Sequence, residues 1–254
     1  DYERAVPLSL QRHRDWSLVR RASYAFAGHA NAVPIVVAEF SMAAQDYGIV
    51  FTGAGEQVHP VVVLGLKPDE NLFVDDAGKW TGNYIPAFVR RYPFVFSKSP
   101  DGTKFILCID EAHDGWNQSG KGRPLFDAEG NQTDFLRDIM RFATEYQGAA
   151  NATSAFCRQL QDLELLDPMA ARFKLPSGQD AQLAGFRAIN RDKLKALGGD
   201  KLSELMKSGA LELIYAHLLS LRNIGVMLAR VKGEALATSH EDDWAARTPQ
   251  DTPY

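Results

Sequence analysis

Near Thr133 the hydrophobic rhythm of this chain changes, and no other feature constrains its fold as strongly. Before it, apolar residues come in short β-branched or aromatic runs bounded by Gly and Pro: Ile35 to Phe40, Ile49-Val50-Phe51, Val58 to Leu66, Phe94-Val95-Phe96 and Phe105 to Ile109. Runs of that length and punctuation read as buried strands or strand edges. Ser23 to Ala27 alternates loosely and is read with them, and Asn71 to Val74 reads as a strand entering the turn Asp75-Asp76-Ala77-Gly78. Ser99-Pro100-Asp101-Gly102 predicts an antiparallel hairpin between the last two runs, because Pro presets its φ angle and Gly accepts a positive one. A further Asp/Gly turn, Phe126 to Gly130, closes this β-rich half.

Beyond Thr133 the period becomes helical. Leu136, Ile139, Met140, Ala143 and Tyr146 recur at three and four residues, with Thr133 placed to cap the first turn. Phe156, Leu160, Leu163 and Leu166 predict a second helix, stopped by Asp167-Pro168 and paired antiparallel with the first. Phe173 to Gly185 reads as a short hairpin or a connection, and as the best internal boundary. The last helical region runs from Leu202 to Leu221 with a break at Ser208-Gly209, and its wide apolar stripe predicts a largely buried helix. The expected fold class is therefore α+β: a β-rich N-terminal half with antiparallel hairpins (residues 1–130) and a mainly helical C-terminal half packed on it (131–237) as one integrated domain. Residues 238–254 form a polar tail that Trp244 could tether. There is no internal repeat and no sustained heptad pattern.

Composition narrows the function classes. A formal charge of −4 gives no footprint for nucleic acid, and no unbroken apolar run reaches the roughly 20 residues of a membrane span. Cys108 and Cys157 lack metal-ligand spacing and read as buried free thiols, which fits a reducing compartment and a cytoplasmic location. The sequons at Asn131 and Asn151 each resemble a helix start.

FILCIDEAHD, Phe105 to Asp114, resembles the magnesium-binding strand of a helicase-type ATPase. That chemistry needs a preceding phosphate loop and a central parallel strand. Gly53-Ala54-Gly55-Glu56, Gly78-Lys79-Trp80 and Gly120-Lys121-Gly122 all fail as such a loop, and the hairpin makes the strand antiparallel. Asp110, Glu111 and His113 remain candidates for acid-base work just past a strand end, although a polar loop capping the sheet explains them as well. No metal site is expected, and no cofactor is indicated. His217, in an apolar helical period, reads as a satisfied core histidine.

The densest unusual stretch is Trp80 to Phe94. Pro86 suits the first turn of a short helix that Pro93 ends, two residues after Arg90-Arg91. Arginines suit a helix C-terminus, yet Arg beside Tyr and Trp is also how proteins grip a carboxylate or phosphate next to an apolar group. Trp80, Tyr84, Arg90, Arg91 and Tyr92 are the candidate ligand-binding residues.

Ala38-Glu39-Phe40, Asp46-Tyr47-Gly48-Ile49-Val50-Phe51, Tyr84 to Phe94, Cys108-Ile109-Asp110, Gly122 to Phe126 and Ser208 to Leu221 together resemble the SapC-like bacterial family, from about Val6 to Leu228. The resemblance implies an association with a paracrystalline surface layer and brings no catalytic residues. The same name is used for a peptide-transport permease, which would need several long apolar helices. The resulting expectation is a soluble accessory or binding protein for a peptide or small anionic ligand. The rivals are an enzyme modifying a small molecule or peptide through Asp110, Glu111 and His113, and a surface-layer-related structural subunit, with a protein partner or self-association.

Overall fold

A computed structural model describes residues 4–19, 23–98, 105–174 and 180–231. The strands are β1 (Ala5–Pro7), β2 (Ser17–Leu18), β3 (Ala32–Pro34), β4 (Gly48–Thr52), β5 (His59–Val63), β6 (Phe94–Lys98), β7 (Phe105–Asp110), β8 (Trp116–Asn117), β9 (Arg123–Pro124), β10 (Leu166–Lys174) and β11 (Asp180–Ile189). The helices are α1 (Leu10–His13), α2 (Phe40–Asp46), α3 (Ala87–Arg90), α4 (Asp134–Asp162), α5 (Arg191–Lys195), α6 (Gly199–Lys207), α7 (Ala210–Ser220) and α8 (Arg222–Val231). The fold is α+β, with antiparallel sheets through the N-terminal half and helices in the C-terminal half, which also contributes the β10–β11 hairpin to the main sheet.

The main sheet has five strands in the order β10-β11-β4-β5-β3. Ile49, Val50 and Phe51 in β4 are all fully buried, so both faces of this strand are covered, which explains an unbroken apolar run where a half-exposed strand would alternate. Among the described residues, β11 pairs with β4 at Arg187 and Phe51. Where it diverges, α7 supplies the missing hydrogen bonds: Ile49 N–H donates to Ser220 Oγ at 2.9 Å, and His217 Nδ1 lies 2.9 Å from Ile49 O. α8 approaches just as closely, since a Cβ on Gly48 would lie 2.3 Å from Ile224 Cγ1.

β6 and β7 form the expected antiparallel hairpin, and β1 adds on the far side of β7. The predicted turn residues 99–102 lie outside the described residues, as does Trp244. A second core of Leu18, Phe94, Leu107, Ile109, Leu125, Phe126 and Leu136 sits between this sheet and the start of α4. The far end of α4 packs Phe156, Cys157 and Leu160 into the main core. A helix of that length spans roughly 43 Å, so one element joins both cores.

Several expectations change. The two predicted helices of 133–166 are the single α4, because Gly148 and Asn151 interrupt the apolar period without removing a backbone donor; Asn151 is therefore not a helix start. The helix ends at Leu163, where Glu164 takes a positive φ, and Leu166, Asp167 and Pro168 belong to β10. Ser23 to Ala27 and Ile35 to Phe40 contain short 3-10 turns in place of strands. By length and composition alone, residues 210–231 form a stretch long and apolar enough to cross a membrane. Glu212 and Arg222 break its apolar run in the sequence, and its inner side holds His217, Ser220 and Asn223 in hydrogen bonds with the main sheet and α2.

Cys108 and Cys157 are buried free thiols, and burial pushes the Cys157 thiol up to about 11.

Candidate functional site

The stretch from Trp80 to Phe94 divides between the main core and the surface. Trp80 is buried; its indole N–H donates to Tyr47 Oη at 2.9 Å and to Tyr84 O at 3.2 Å. Behind α3 lies the buried carboxylate of Glu39, which accepts from Val36 N (2.9 Å), Ala87 N (2.7 Å) and Tyr84 Oη (2.8 Å). Tyr84 Oη in turn accepts from Arg90 Nη2 at 3.3 Å, while Arg90 Nε donates to Ile85 O at 2.8 Å. Burial, followed by the Glu39 charge, pushes the Tyr84 phenol up to about 12, so it stays a neutral link between Glu39 and Arg90. Pro86 stands at the N-cap of α3, one residue before its first turn, and Arg90 and Arg91 fall at its C-terminal end.

The arginines emerge on a cleft of about 260 Å³ between α3–β6 and the first turns of α4. Arg90, Arg91 and Tyr92 line one side, Phe94 and Phe96 its floor, and Phe135, Ile139 and Phe142 the α4 side. Arg91 stacks 4.4 Å from the Phe88 ring centroid and 5.4 Å from those of Phe96 and Tyr146. Arg123, from β9, lies 4.2 Å over Phe135. A guanidinium stacked by its face keeps its N–H groups in the ring plane, where they suit a carboxylate or phosphate. The carboxylate in this lining, Asp138, is paired with Arg141 at 2.7 Å.

Arg123, Phe135 and Phe142 were not anticipated. The signal was present in part: Phe135 and Phe142 stand seven residues apart, at helical spacing, flanking the stripe through Leu136 and Ile139 that faces the second core.

The acidic loop is built differently. Glu111 is buried, with 1% of its side chain exposed, and is gripped by Arg12 at 2.6 and 2.7 Å, Arg4 at 3.0 Å and His13 at 3.1 Å. The Arg12 hydrogen bonds hold its carboxyl below the usual range. Asp110, equally buried, accepts from Arg4 N (3.0 Å), Ala112 N (3.1 Å) and Tyr92 Oη (3.4 Å). These bonds pin the N-terminal segment to the end of β7. His113 is half-buried: its Nδ1 accepts from Gly115 N at 2.9 Å, its ring meets Tyr92, and it lines a small recess shared with Arg90 and Tyr92. Tyr92 thus touches both the arginine cleft and the acidic loop. Among the described residues no group of three or more His, Cys, Asp or Glu is placed to hold a metal.

A family model described as SapC matches residues 8–227. Comparison with curated proteins and with solved structures finds no match.

Proposed function

The chain belongs to the SapC family, and on that premise we propose that it is an accessory or binding protein that takes a peptide or small anionic ligand in the cleft between α3 and α4. The observation that carries this reading is the convergence of Arg90, Arg91 and Arg123 on a cleft otherwise lined mainly by aromatic and aliphatic side chains. Such a lining favours a ligand with an acidic group and an apolar body. The volume of about 260 Å³ falls just below the roughly 300–1,000 Å³ of drug-sized ligand sites, so it suits a small molecule or the end of a peptide.

The enzyme reading has less support. Two of its three groups, Asp110 and Glu111, are buried and hydrogen-bonded to the N-terminal segment, and His113 alone of the three faces the recess beside Arg90.

Titration calorimetry with N-acetyl-phenylalanine, phenyl phosphate and N-acetyl-phenylalanine amide tests the proposal. The two anions are expected to bind and the neutral amide to be rejected. Arg90→Ala and Arg123→Ala, both at exposed positions, should each weaken anion binding about 10- to 100-fold, the effect of one charge-assisted hydrogen bond. Equal binding of acid and amide, or indifference to both substitutions, would remove the anion-binding reading.

A further inference from the structure

The outer face of the α7–α8 stretch carries a regular row of exposed residues: Glu212, Tyr215, Leu219, Arg222 and Val226. Their spacing alternates three and four, the period at which one helix lays a straight seam against another. Tyr215, Leu219 and Val226 are 47%, 64% and 41% exposed, although each is apolar or aromatic. Among the described residues neither Glu212 nor Arg222 makes an ion pair.

The order of charges along the row determines what it can pair with. Glu212 and Arg222 lie ten residues apart, about 15 Å along a helix, and the midpoint between these two charges is position 217. A second copy laid antiparallel about that centre sets Glu212 against Arg222 at both ends and Tyr215 against Leu219 in the middle. The same register brings Val226 to the level of the turn at Ser208-Gly209 of the other copy. A parallel pairing would oppose like charges at both ends. A bilayer would have to bury Glu212 and Arg222 without partners. We infer that this chain forms an antiparallel homodimer through the α7–α8 face, with a two-fold axis near residue 217.

The interface is isologous, so each ion pair occurs twice. It is also short compared with the 20–30 residues per side of a standard interface, which places its Kd at roughly micromolar or weaker. Sedimentation equilibrium of the full chain, from micromolar to millimolar concentration at low ionic strength, is expected to show a monomer–dimer equilibrium. Glu212→Arg sets Arg against Arg222 twice, and Arg222→Glu sets Glu against Glu212 twice. Each alone should raise the Kd by about tenfold or more. Mixing the two variants restores both opposite-charge pairs in a heterodimer, so the mixture should dimerise where neither variant does. Because both positions are exposed, unchanged circular dichroism should accompany the loss. A chain that stays monomeric throughout, or a dimer indifferent to both swaps, would overturn the inference. So would binding to phosphatidylcholine vesicles that Leu219→Glu abolishes in a chain that does not self-associate, since the face would then meet lipid.

Discussion

Replacing His217 with glutamine keeps an amide between β4 and β11 while removing the group that titrates. The histidine is fully buried; its Nδ1 lies 2.9 Å from Ile49 O, and its Nε2 accepts from Ile189 N at 3.0 Å. Only the neutral ring with its proton on Nδ1 satisfies both strands, and burial depresses its pKa from 6.5 to about 4. A depressed pKa means that the unfolded chain takes up the proton first. The contribution of His217 to stability is therefore complete above pH 6.5 and falls as pH drops through the window down to about 4. At 1.36 kcal/mol per unit, the loss across that window is about 3 kcal/mol. The variant trades two well-placed hydrogen bonds for a poorer fit, a cost of about 1–3 kcal/mol at pH 8 that does not depend on protonation. Urea unfolding of both proteins, followed by tryptophan fluorescence at matched pH and ionic strength, isolates the difference, because distant groups cancel. The wild type should be the more stable at pH 8, and the two should converge or cross near pH 4. A difference that stays constant from pH 8 to 4 would refute the picture of a buried, neutral His217.

Two further substitutions probe the joints of the fold. Glu111→Gln leaves Arg4, Arg12 and His13 without their shared carboxylate; since both guanidiniums can turn to water, the expected cost is about 2 kcal/mol by denaturant unfolding. The wild type, whose Glu111 carboxyl is held low by Arg12, should lose this advantage as pH falls through that depressed pKa, so the gap between the two should narrow in acid. Thr133→Ala removes the cap on α4, where Thr133 Oγ1 accepts from Leu136 N at 3.3 Å and donates to Pro124 O at 2.8 Å. It should cost about 1 kcal/mol, a drop of roughly 2–4 °C in melting temperature for a chain of this size; no change would mean that the cap does not hold the helix start.

Chemistry that acts within a turn or two of the chain was legible in the residues. Thr133 caps α4, Gly209 takes the left-handed conformation between α6 and α7, Gly130 closes its turn, and Pro86 opens α3, each for a reason confined to its neighbours. The unbroken run at Ile49-Val50-Phe51 gave β4, and the apolar period around His217 gave a core histidine. Of the candidate site, Arg90, Arg91 and Tyr92 could be singled out, because guanidiniums beside aromatic rings are unusual at any spacing.

What the residues alone determined, then, is the set of local elements: short strands first, capped helices afterwards, and turns where Gly and Pro allow them. Tertiary structure decided which polar groups would be used up and which left facing outward. Glu111 looks like a catalytic acid until Arg4 and Arg12 reach it from about a hundred residues away, and Trp80 looks like a ligand platform until Tyr47 Oη accepts its indole N–H. The cleft draws Arg90 from α3, Arg123 from β9 and Phe135 from α4, segments that only folding brings together. The row from Glu212 to Val226 becomes visible as a surface once His217, Ser220 and Asn223 are committed inward. The physical reason is that hydrogen bonding and backbone preference act between near neighbours, whereas burial and charge pairing depend on residues far apart in sequence.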